Sequence, residues 1–111
     1  MSMSEFEQLC AAARDGDAEK VKSLIDSGAD ASSFDGDGLT PLMHAAKHGN
    51  AGAVKALLEA GAPWNALSPS NLSAGDFAMD SGHQAAFDVL LHAGTRFPFL
   101  TLLRLSIAQY I

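Results

Sequence analysis

Apolar residues return along the chain in short helical bursts, not in the strict alternation of a strand. In the middle of the sequence Leu42, Ala45 and Ala46 share one face of a helix, and Val54, Leu57 and Leu58 share one face of another. Thr40-Pro41 marks the start of the first burst. A threonine hydroxyl there can accept from an early helical N–H, and proline at the first helical position lacks an N–H that would otherwise have no partner. Gly49 stops this helix, Asn50 is placed to cap the next, and Gly61 stops that one. The pattern predicts two short helices with alanines where they approach, and with Leu57 and Leu58 at the centre of the core.

The pair recurs. A shift of 33 residues lays Leu9 on Leu42, Ala12 on Ala45, Gly16 on Gly49, Val21 on Val54, Leu24 on Leu57 and Gly28 on Gly61. A second shift carries Ala45 to Ala78, Gly49 to Gly82, Leu57 to Leu90, Leu58 to Leu91 and Gly61 to Gly94. Three copies in one register, about 5–37, 38–70 and 71–94, predict an all-α solenoid of helix-turn-helix units over residues 1–94. Ser4 with Glu7 opens the first copy as a capping box, Asp17 caps its second helix, and Ser73 with Asp76 opens the third copy. Between copies lie the polar segments Asp30–Leu39 and Pro63–Leu72, with Asp35-Gly36-Asp37-Gly38 and Ser68-Pro69-Ser70-Asn71 as turn signals. Asn71 falls on Gly38; both residue types tolerate positive φ, so one turn geometry is expected in both segments.

This period and the residues Thr40-Pro41-Leu42, Ala45-Ala46, Gly49, Val54, Leu57-Leu58 and Gly61-Ala62 resemble the ankyrin repeat, over about residues 4–94. Two departures stand out. The family's T-P-L-H reads Thr40-Pro41-Leu42-Met43 here, with His44 one place later, and Gly75 stands where the third copy should have a core leucine. The resemblance implies a protein-interaction module that binds through its finger tips and the end of the first helix of each pair. Matched by position, the expected contact residues are Phe34, Gly36, Asp37, Leu39, Lys47 and His48 in one groove. The next finger gives Leu67, Pro69, Ser70, Leu72, Asp80 and Ser81. Trp64, at the base of a finger, is expected to be structural.

A finer resemblance lies in residues 61–94. Gly61-Ala62-Pro63-Trp64-Asn65-Ala66, Ala74-Gly75-Asp76-Phe77-Ala78 and Gly82-His83-Gln84 look similar to the N-terminal ankyrin region of fungal and plant arginine methyltransferases. Those enzymes modify the delta nitrogen of arginine with S-adenosylmethionine. On that resemblance the chain would be a non-catalytic fragment or splice form, regulatory or substrate-positioning. A third reading is a marginal or purely structural product, since three copies are about the minimum for a stable stack.

Composition narrows the partners. The formal net charge is −6, and ten of the 13 acids fall in residues 1–63. That balance argues against nucleic acid, which needs a basic stripe, and fits a basic or neutral protein partner. A monomer is expected. The first residues show neither the basic nor the apolar region of a secretory signal, and one cysteine allows no intrachain disulfide. A cytoplasmic or nuclear setting is the expectation, with no membrane span. Residues 95–111 carry no acid and read as an apolar tail, the end of a truncated or alternatively spliced product. Residues 98–110 have near-helical apolar spacing. They could cap the third copy, or form a frayed, aggregation-prone extension.

No enzyme is expected: there is no phosphate loop, no G-x-G-x-x-G after a strand and no context for a catalytic triad. No cofactor or metal is expected either. His44 and His48 stand at i, i+4, but Ala45 replaces the glutamate of a zincin helix. His44 is read as packed between helices and His48 as solvated. Cys10 falls on Met43, a position that takes apolar groups, and is read as a packed thiol; Asp35 and Asp37 are read as a solvated turn.

Overall fold

The computed structural model describes residues 4–94. The expected cap over residues 98–110 lies outside the described residues. Six helices follow in pairs: α1 Glu5–Asp15 and α2 Ala18–Asp26, α3 Pro41–Lys47 and α4 Ala51–Glu59, α5 Ala74–Asp80 and α6 Gln84–Gly94. No strand occurs among the described residues. Helices α1, α3 and α5 pack side by side in one row, α2, α4 and α6 in a second, and the two helices of each pair pack on each other. The fold is therefore all-α and built as three stacked copies.

Small residues let the rows close up. Ala12, Ala13, Ala45, Ala46, Ala53 and Ala78 are buried beside Leu9, Val21, Leu42, Met43, Val54 and Leu57. Leu57 is fully buried, whereas Leu58 is half-buried and packs on the core from its edge. The next residue on a helix lies about 100° round its axis, so both leucines of α4 cannot face the centre.

Four helix starts follow the capping chemistry. Ser4, Asp17, Thr40 and Ser73 each accept from the backbone N–H three residues on. Asp76 also returns a carboxylate oxygen to Ser73 N–H at 2.9 Å, completing a reciprocal box. Asn50 departs from the expected cap: its side chain makes no bond to the start of α4. Its amide instead donates to Ala13 O at 2.9 Å and Arg14 O at 2.7 Å, carbonyls in the last turn of α1 in the preceding copy. Carbonyls at a helix end lack the full set of intrahelical partners, and Asn50 bonds to two of them across the copy boundary.

That crossing explains the glycine that ends α1. Gly16 has φ +81°, and a Cβ there would sit 2.8 Å from Asn50 Oδ1. Gly49 repeats the arrangement at φ +75°, with a Cβ 2.5 Å from His83 Nδ1 of the third copy. Glycine is needed twice over, for the left-handed turn and for the approach of the next copy.

Candidate functional site

Two fingers, one before α3 and one before α5, share one construction. In the first, Asp35 N–H donates to Leu39 O at 2.9 Å and Gly38 N–H to Asp35 O at 3.0 Å. In the second, Ser68 N–H donates to Leu72 O at 2.9 Å and Asn71 N–H to Ser68 O at 2.8 Å. Gly38 at φ +79° and Asn71 at φ +67° hold the same left-handed position 33 residues apart. The side chain at the base of each turn fastens it. Asp35 Oδ1 accepts from Asp37 and Leu39 N–H, and Ser68 Oγ accepts from Leu72 N–H. The fingers also touch: a Cβ on Gly38 would collide with Cγ and Cδ of Pro69. Pro69 thus stacks the second finger on the first.

The tips stay open. Phe34 is 49% exposed and Leu67 48%, in matching places one period apart. Asp37, Pro69 and Ser70 are exposed, and Leu39 and Leu72 half-buried where each finger runs into its helix. Lys47 and His48 are exposed at the far end of α3, roughly 10 Å of helix from the finger base, and Asp80 and Ser81 hold the same exposed place on α5. Trp64 is half-buried and packs on the core at the base of the second finger.

Behind the first finger lies a cluster of three groups that are separated in the sequence. Cys10 of α1, Asp35 of the finger and His44 of α3 bring a sulfur, a carboxylate oxygen and a ring nitrogen within 4.8 Å of one another. His44 is buried, as expected, but its Nε2 lies 2.6 Å from Asp35 Oδ2. The expectation of a solvated turn fits Asp37; Asp35 is folded back under the finger with its side chain 22% exposed. Burial would raise the Asp35 carboxyl. The hydrogen bonds from Leu39 N–H, His44 and Asp37 N–H outweigh it and hold the group below its ordinary value. Burial pushes the Cys10 thiol up to about 11, with the negative charge of Asp35 adding to the rise and Arg14 opposing it. Burial and the Asp35 charge both favour the protonated thiol over the more reactive thiolate at this buried place. The signal for this cluster was in the period: α1 and α3 stack in register, so residue 10 must lie beside residues 43 and 44.

In comparison with known proteins, the profile of the family described as ankyrin repeats, in three copies, matches residues 9–98. No curated protein matches the chain.

Proposed function

The chain belongs to the ankyrin-repeat family, and from that we propose that it is a protein-binding module whose contact surface is the pair of stacked fingers, with no catalysis of its own. Ankyrin repeats generally mediate contacts between proteins. The observation that carries the reading here is the matched pair Phe34 and Leu67. Two large apolar side chains stand half-exposed on rigid turns that are braced by Asp35, Ser68 and Pro69. Such anchors gain by burial, and turns already fixed lose little freedom when a partner arrives. Asp37 on the same finger, and the excess of acids in residues 1–63, favour a basic or neutral protein partner over nucleic acid. Lys47, His48, Leu39 and Ser70 extend the surface around these anchors. No helix among the described residues is long and apolar enough to cross a membrane; a cytoplasmic or nuclear setting, and a monomer, complete the proposal.

Affinity purification from native extract tests it. The intact chain should retain a protein that a Phe34→Ala, Leu67→Ala double variant releases. A partner retained equally by both would move the contact surface elsewhere.

The second reading is a non-catalytic part of an arginine methyltransferase. It is supported by the residue pattern of 61–66, 74–78 and 82–84 alone. A methyltransferase domain encoded downstream in the same locus would favour it.

A further inference from the structure

We propose that Cys10, Asp35 and His44 form a binding site for one divalent cation of the zinc class, ligated by sulfur, a carboxylate oxygen and a ring nitrogen, with water completing the coordination. The three donors come from three separate elements, α1, the first finger and α3, yet their ligand atoms lie within 4.8 Å of one another. Thiolate, imidazole and carboxylate together are the ligand set that zinc accepts, and three protein ligands with one open position is a common form of its sites.

Packing does not demand these residues. One period on, the same three places are held by Met43, Ser68 and Phe77. There the second finger closes with the same turn hydrogen bonds, and Met43 and Ser68 are buried. The stack therefore completes this position with a thioether, a hydroxyl and a phenyl ring, and only the first boundary gathers three ligating groups. Asp35 is already oriented for the role. Its Oδ1 is occupied by Asp37 and Leu39 N–H, which turns Oδ2 toward His44. Outer hydrogen bonds of this kind fix the aim of a ligating carboxylate. The partly exposed Asp35 side chain gives the ion a way in beside the buried sulfur and imidazole. On binding, the Cys10 proton leaves to solvent and the ion takes its place on sulfur.

The test is a titration of the reduced full-length chain with cobalt(II), which occupies zinc sites and absorbs visible light. Because Cys10 is the chain's one cysteine, a thiolate-to-cobalt charge-transfer band can arise from no other residue. The proposal expects that band to saturate at one cobalt per chain, to bleach when zinc is added, and to vanish in Cys10→Met. Asp35→Ser and His44→Phe, which install the residues of the second boundary, should each weaken cobalt binding by about tenfold or more. Circular dichroism checks that each variant is folded; should one not fold, the wild-type band and its stoichiometry still decide. No band at equimolar cobalt would overturn the proposal, leaving a His44–Asp35 pair beside an inert thiol. So would a band whose saturation is unchanged in both Asp35→Ser and His44→Phe.

Discussion

Two hydrogen bonds leave the amide of Asn50, and both cross to the neighbouring copy. They reach carbonyls in the last turn of α1, and the backbone of Gly16 makes room for them. Asn50→Ala removes both bonds and should cost ~1–3 kcal/mol of stability by urea unfolding, at about 0.5–1.5 kcal/mol for each hydrogen bond lost. Asn50→Asp should also destabilise, because a carboxylate has no N–H to give and would face carbonyl oxygens. A loss below about 0.5 kcal/mol for the alanine variant would mean that these bonds do not hold the first two copies together. The sequence placed Asn50 correctly after a helix-ending glycine, but the intrahelical cap was the wrong partner. Capping preference is a local statistic. Which N–H or carbonyl an asparagine reaches is decided by the copy packed beside it.

At the scale of the elements, the chain's punctuation was legible and its lateral contacts were less so. Helix starts at Thr40-Pro41 and Ser73, the helix-ending glycines and the shared turn at Gly38 and Asn71 all follow from backbone chemistry that a short segment carries by itself. The Cys10–Asp35–His44 cluster did not follow from any one segment, since it needs α1, a finger and α3 brought into register. Exposure along matching helices shows the same dependence on neighbours. Ala46 of α3, packed between α1 and α5, is fully buried, while Met79, one period on in α5, is 59% exposed. Around Met79 a shallow hollow of about 80 Å³ is bordered by Ala78, Gly82, His83, Gln84 and Phe87. Gly82 has nothing near its Cβ position, unlike Gly16 and Gly49. Ala46→Lys should therefore destabilise by roughly 3 kcal/mol or more, from overpacking and a buried charge. Met79→Lys should stay within about 0.5 kcal/mol. Denaturant midpoints of the two variants check this. A large loss from Met79→Lys would mean that this face of α5 is not open to solvent.

Across the whole molecule, separate parts carry separate tasks. The two helix rows bury the core, and copy-to-copy contacts through Asn50, His83 and Pro69 fix the spacing of the fingers. The fingers leave Phe34 and Leu67 exposed at their tips, where the proposed partner would dock. Lys22 of α2 and Lys55 of α4 lie in the other helix row, also exposed. The most direct measurement places a photo-crosslinking amino acid at position 34, 67, 22 or 55 of the full chain, one at a time, in native extract. The account predicts a protein adduct from positions 34 and 67 and none from 22 and 55. An adduct formed from 22 or 55 and absent at both finger tips would contradict it.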